Sequence, residues 1–231
     1  MTDFALLFDL DGTLLDTAPD MAAALNALRI EEGLPPLPLE TIRPRVSQGG
    51  LALTRLGFAE HRDEAEIEPL RQRFLQRYLD AIAVHSRLFD GFDAALQRLE
   101  RQGLPWGVVT NKPGWLTDPL MAELGLDRRS SVTVSGDTTA ERKPHPLPLL
   151  TAAEAIGIDP GRCLYVGDDP RDIEAGNAAG MTTVIAGWGY IADNARLDDW
   201  GADHQAAHPA ELATLIPSRT GKHDENRIPA L

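Results

Sequence analysis

Short apolar runs alternate with amphipathic stretches along most of this chain. Runs near residues 4–9, 105–110, 131–135, 162–167 and 182–186 are too short for helices and end in polar loops, so they predict strands. Between them, apolar positions recur at helical spacing near 92–103, 115–125, 146–157 and 170–179. Apolar strands alternating with helices predict an α/β fold, a parallel sheet covered by helices on both faces. In such sheets ligands bind beyond the carboxyl ends of the strands.

Residues 17–87 break the alternation. Helical patterns run through Pro19–Glu32, Gly50–Phe58 and Glu64–Val84 with no strand among them, and Gly33-Leu34-Pro35-Pro36-Leu37-Pro38 is a stiff connector. The expected organisation is a core of residues 1–16 and 88–217, a helical insert at 17–87, and a loose polar tail at 218–231.

A chain of 231 residues with 43% hydrophobic and 25% charged content can bury a sizeable globular interior. Its formal net charge of −13 argues against nucleic acid or an anionic membrane as partner, and means that an anionic substrate must be attracted by local cations. Cys163 is the one cysteine, which excludes an internal disulfide and a multi-cysteine metal site. Within Cys163-Leu164-Tyr165-Val166 it reads as a small core residue. No signal peptide opens the chain, and no run approaches the roughly 18 apolar residues of a membrane span, so a cytoplasmic enzyme is expected.

The chemistry sits at the strand ends. Asp9-Leu10-Asp11-Gly12-Thr13 follows the run Phe4–Phe8, so two aspartates two apart point the same way beside a Gly-Thr turn whose amides can face an anion. Those carboxylates would repel a phosphate unless a cation joined them, which predicts a Mg²⁺-dependent phosphoryl-transfer site. The competing reading is an acidic turn, since turns favour Asp and Gly. Thr110-Asn111-Lys112 ends the second strand, where a hydroxyl can donate to a phosphate oxygen; Thr-Asn is also an ordinary strand-to-loop transition. Lys143-Pro144-His145-Pro146 holds an extended lysine, a point charge suited to phosphate, ahead of a helix start. His145 reads as a helix-start residue. In Gly167-Asp168-Asp169-Pro170-Arg171-Asp172, Asp169 fits a helix N-cap and Asp172 its third position, with Gly180 closing the helix. Capping leaves Asp168 unexplained.

Together these segments resemble, in order, the four signatures of the haloacid dehalogenase (HAD) superfamily, most of whose members are phosphatases. The resemblance implies a HAD-like Rossmannoid core with the insert at 17–87 as its cap domain. It further implies Asp9 as nucleophile and Asp11 as general acid and base, with Asp11 protonated in the first step, which a neighbouring carboxylate favours. Thr110, Asn111 and Lys143 would hold the phosphoryl group. Mg²⁺ would be held by Asp9, the Asp11 carbonyl and Asp168, with Asp172 supporting its waters. Dehalogenases and the phosphonate-cleaving branch depart at the Asp11 position, whereas sugar-phosphate mutases share all four motifs. A noncatalytic binding protein would have lost one of the four charged residues. A receiver domain lacks such an insert, and no Gly-x-Gly-x-x-Gly follows the first strand.

The likeness extends to Val84–Gly91, Trp106–Pro113, Gly189-Tyr190-Ile191 and Trp200-Gly201-Ala202-Asp203. These stretches resemble bacterial phosphoglycolate phosphatases, a proteobacterial branch of which includes N-acetylmuramic acid 6-phosphate phosphatase of cell-wall recycling. The expected function is phosphoric monoester hydrolysis, of phosphoglycolate first and the amino-sugar phosphate as alternative. Both substrates carry a carboxylate. Arg43 and Arg45 are either its partners or solvated cap-loop charges, and Ser47 to Gly50, Gly49 included, form a loop closing over the leaving group.

Overall fold

The computed structural model describes residues 4–216, so the expected tail at 218–231 lies outside the described residues. The chain runs through β1 (Ala5–Phe8), β2 (Leu15–Asp16), α1 (Ala18–Glu31), α2 (Leu39–Ile42), α3 (Gly49–Phe58), α4 (Glu64–Asp80) and β3 (Arg87–Leu88). It continues with α5 (Phe92–Arg101), β4 (Trp106–Val109), α6 (Gly114–Glu123), β5 (Val132–Val134), α7 (Leu147–Ile156) and β6 (Cys163–Gly167). The last elements are α8 (Pro170–Ala178), β7 (Thr182–Ala186), β8 (His204–Ala206) and α9 (Leu212–Leu215).

Six strands form one parallel sheet in the order β5-β4-β1-β6-β7-β8. The order reverses at β1, and such a switch point opens a crevice at the carboxyl ends. Alternate residues of β1 feed two cores. Leu6 and Phe8 join Trp106, Val108, Phe92 and Leu96 on one face. Ala5 and Leu7 join Val109, Tyr165, Leu149 and Ala152 on the other. Phe8 stacks edge-on against Phe92 at 5.2 Å between ring centroids, and truncation of such a buried ring to Ala costs about 3–5 kcal/mol. Both faces being buried explains the continuous apolar runs. β8 is different: it lies at the sheet edge with His204 and Gln205 exposed, so no apolar pattern marks it.

The cap is a helical layer in which α4 packs on α1 and α3. Core and cap join through a short antiparallel ribbon, with Leu15 opposite Leu88 and Asp16 opposite Arg87. Asp20 fastens the returning segment by accepting from His85 N, Ser86 N and Ser86 Oγ at 2.7–3.0 Å. The expected boundaries at 16/17 and 87/88 fall within or beside this ribbon. No helix among the described residues is long and apolar enough to cross a membrane.

Candidate active site

Phe8 is level with Val108 on one side and Val166 on the other, so the residues just past these three strands converge. Asp9, Asp11, Thr110, Lys143, Asp168 and Asp172 are all buried there, and all but Asp168 line an open cavity of about 850 Å³ between core and cap.

Lys143 is the hub. Its Nζ lies 2.7 Å from Asp9 Oδ1, 2.7 Å from Asp172 Oδ1, 2.9 Å from the Val109 carbonyl and 2.8 Å from the Tyr165 hydroxyl. The lysine is delivered by a loop that Asn111 braces: Asn111 Nδ2 donates to Lys143 O at 2.9 Å, and Lys143 N donates to Asn111 Oδ1 at 3.0 Å. The Asn111 side-chain amide thus braces the Lys143 loop at both ends, while the residue also lines the cavity. Thr110 lines the cavity, and its hydroxyl oxygen accepts from Lys112 N at 3.2 Å. Its own proton stays available for an anion.

Asp172 serves two purposes at once. Its Oδ1 takes Lys143, while Oδ2 accepts from Asp169 N at 3.1 Å in a capping box that starts α8. One carboxylate thus caps the helix and contacts Lys143 at the same time. His145 accepts from Leu147 N at 3.1 Å at the next helix start, as expected.

Asp168 accepts from Thr13 Oγ1 (2.8 Å), Ser47 Oγ (2.8 Å) and Tyr190 N (3.0 Å), all neutral donors. The site fits a hard divalent cation on this structure's own terms. One oxygen from each of Asp9, Asp168 and Asp172 lies within 4.8 Å of the others, all three residues are buried, and Lys143 supplies a single balancing charge. Burial, resisted by Lys143 and reinforced by Asp172, raises the Asp9 carboxyl to about 6. Burial, then Asp9 and Asp172, push Asp168 well above the ordinary carboxylate range. Ser47 Oγ also approaches the Asp11 carbonyl to 3.3 Å, which puts a cap hydroxyl between two expected metal ligands.

The raised Asp168 pKa has a stability consequence. Between its ordinary value of 3.8 and the raised one, the folded protein binds a proton that the unfolded chain does not, so ionised Asp168 destabilises the metal-free fold at neutral pH. Asn fits the same donors, because the Thr13 hydroxyl can turn and accept. Asp168→Asn in EDTA at pH 7.5 is expected to raise the thermal midpoint by about 2–4 °C, equivalent to about 1 kcal/mol for this chain length. The gain should fade as pH falls below 3.8 and no penalty is left to remove. An unchanged or lower midpoint by calorimetry would contradict this charge balance.

Gly12 shapes the loop carrying Asp11. Its φ is +87°, and a Cβ there would lie 2.2 Å from Asp168 Oδ2. Its amide turns back to Leu15 O at 2.9 Å, so this N–H does not face an anion as the turn's composition suggested.

Asp11 has an unexpected partner. Lys112 Nζ lies 2.9 and 3.1 Å from its two carboxylate oxygens, Thr17 Oγ1 donates to Oδ1 at 2.6 Å, and Tyr78 OH from the cap touches Lys112 Nζ at 3.2 Å. Burial opposes the Lys112 charge, but Asp11 and Tyr78 outweigh it and hold the ammonium protonated. A cation on Asp11 joins the neighbouring carboxylate, Asp9, that the sequence suggested. The only hint in the sequence is the position of Lys112, three residues past the end of β4.

The two cap arginines have different partners. Arg43 grips Asp16 through two bonds of 3.0 and 3.1 Å and lies over the Tyr190 ring, so it fastens the hinge. Arg45 is exposed and reaches Gln48, which lines the cavity although Arg45 itself does not. Ser47 and Gly49 do line it.

Residues 5–180 match the model of the haloacid dehalogenase-like hydrolases. The chain belongs to the haloacid dehalogenase-like hydrolase family. It is 51% identical over 209 residues to a phosphoglycolate phosphatase of Xanthomonas campestris pv. campestris, covering 90% of this chain and 94% of that one. It is 47% identical over 212 residues to N-acetylmuramic acid 6-phosphate phosphatase of Pseudomonas aeruginosa, covering 92% and 94%. Among solved structures, a predicted phosphoglycolate phosphatase from Haemophilus somnus 129PT superposes with a TM-score of 0.82 at 29% identity, covering 93% and 99%. HAD phosphatases generally use a divalent metal, and the buried aspartate cluster is suited to one.

Proposed function

We propose that this hydrolase cleaves phosphate monoesters through an aspartyl-phosphate on Asp9. One observation carries the reading. Asp9 has one oxygen fastened to Lys143, and its second has no hydrogen bond among the described residues, at the floor of the cavity. That free oxygen attacks phosphorus as the ester P–O bond breaks, and Asp11 gives its proton to the departing alkoxide. Asp11 then takes a proton from water, which attacks the phosphoenzyme and releases inorganic phosphate and free Asp9. Lys143 steadies the nucleophile, and Thr110 is placed to donate to a phosphoryl oxygen. Asp9, the Asp11 carbonyl and Asp168 would hold the metal, for which Mg²⁺ suits an all-oxygen donor set, and the ion would offset charge on the phosphoryl oxygens.

The names of the relatives favour phosphoglycolate as substrate. The cavity supports the amino-sugar phosphate as a second reading, because its outer part runs past Asp9 to Arg71, Gln76, Arg142 and the half-exposed Trp115. A two-carbon acid fills little of about 850 Å³. Side-by-side kcat/KM with Mg²⁺ for 2-phosphoglycolate and N-acetylmuramic acid 6-phosphate decides between them. A preference of about 10²-fold or more for either assigns the substrate, since it exceeds what one misplaced contact gives. Failure to hydrolyse any phosphomonoester would end the proposal.

A further inference from the structure

Lys112 is a buried cation that the mechanism above does not use. Its backbone is pinned to the core: N donates to Thr110 Oγ1 at 3.2 Å, and O accepts from Gly136 N at 2.8 Å and Thr117 Oγ1 at 3.2 Å. Its side chain is 4% exposed and reaches both oxygens of Asp11. On its other side stands the cap. Tyr78, in the last turn of α4, is fully buried, with its hydroxyl 3.2 Å from Lys112 Nζ and its ring centroid 4.6 Å away. A three-residue chain thus crosses from cap to core and ends on the expected proton donor.

We propose that Lys112 is a positioning residue for Asp11, and that Tyr78 makes its grip depend on a seated cap. This rests on Asp11 being the general acid and base. A carboxylate on a loop is free to rotate, and a misplacement of about 1 Å can cost about 10²-fold in rate. Lys112 bonded to both oxygens, with Thr17 on one, removes that freedom. When α4 lifts away, the ammonium loses the Tyr78 hydroxyl and the cation–π contact, and its hold on Asp11 loosens. The donor is set in place only when the cap covers the leaving group.

A buried ion pair that merely supports the fold would affect all substrates alike, so the test compares leaving groups. The variants are Lys112→Met, Lys112→Arg, Tyr78→Phe and the double Lys112→Met/Tyr78→Phe. Each is assayed by acid-quenched single turnover, which reads phosphoenzyme formation ahead of the water step common to both esters, with 2-phosphoglycolate, whose alkoxide needs a proton, and with p-nitrophenyl phosphate, whose phenolate does not. For the alkyl ester, Lys112→Met is expected to lower that rate about 10²-fold and the half-saturating concentration less than about threefold, with a loss several times smaller for the aryl ester. Lys112→Arg should recover about tenfold of the lost rate, since it keeps a cation at the site. Tyr78→Phe should lower the alkyl-ester rate about fivefold alone, and have no further effect once Lys112 is gone.

Equal losses on both esters, or an additive Tyr78→Phe effect, would overturn the proposal. If Lys112→Met fails to fold, Tyr78→Phe decides alone through the same leaving-group contrast, because it keeps the ring and its packing. Asp11→Asn separates the two levels of inference. A fully active Asp11→Asn removes the general acid itself, whereas an inactive Asp11→Asn beside a fully active Lys112→Met overturns the positioning role only.

Discussion

Asp9→Asn is expected to lower kcat for a phosphate monoester by about 10⁴-fold or more, with the fold intact. The amide has the shape of the carboxylate but no anionic oxygen to attack phosphorus. The fold should survive because Lys143 keeps Asp172 at 2.7 Å, together with the Val109 carbonyl and the Tyr165 hydroxyl. Removing one of three crowded carboxylates also relieves repulsion: Asp172 raises the Asp9 pKa and Asp9 raises that of Asp168, each after burial itself. Acid-quenching wild type during turnover of a radiolabelled ester should trap label on the protein, and the variant should trap none. A variant retaining more than about a tenth of wild-type kcat would move the nucleophile elsewhere, because losing covalent catalysis costs far more than tenfold.

Dialysis against excess EDTA should take activity to background, with restoration by Mg²⁺. The physical reason is the charge at the floor of the cavity. Asp9, Asp168 and Asp172 crowd within 4.8 Å against one ammonium, and a phosphomonoester brings about two more negative charges near neutral pH. Like charges about 4 Å apart repel by about 4 kcal/mol each at an effective dielectric of 20, so several such pairs would exclude the substrate. Binding of the metal to this folded cluster should also raise the thermal midpoint of wild type, and do so much less in Asp168→Asn. Undiminished activity after exhaustive chelation would sink the metal-dependent reading.

Much of this site is legible in the linear sequence because sheet topology does the assembling. Asp9, Thr110 and Asp168 each follow an apolar run, and adjacent parallel strands bring their ends together whatever lies between. The cap of Asp169 and Asp172 is local, so it too can be read from spacing. Residues whose partners are set by tertiary packing are illegible. Nothing in the string pairs Lys112 with Asp11, 101 positions away, or with Tyr78, whose spacing on α4 reads as ordinary core. Arg43 and Arg45 look alike in sequence, yet one meets Asp16 and the other Gln48. Nor does the string show that Asn111 braces the Lys143 loop, 32 positions away. β2 and β3 are too short to carry any periodicity, and only each other's presence makes them strands.

That small ribbon has a consequence for how such a molecule can change over generations. The chain leaves the core and returns to it on neighbouring strands, about 4.8 Å apart by ordinary sheet spacing. Whatever is threaded between those two points, long or short, presents the same pair of ends to the core. Lengthening it adds only slowly to the loop-closure entropy. The segment can therefore be lengthened, recast or exchanged between related chains without disturbing Asp9, Lys143 or Asp168, whose supports lie largely outside it. The nucleophile and its charge partners can be inherited intact while the choice of ester drifts, provided that a new segment again sets a hydroxyl against Lys112 as Tyr78 does.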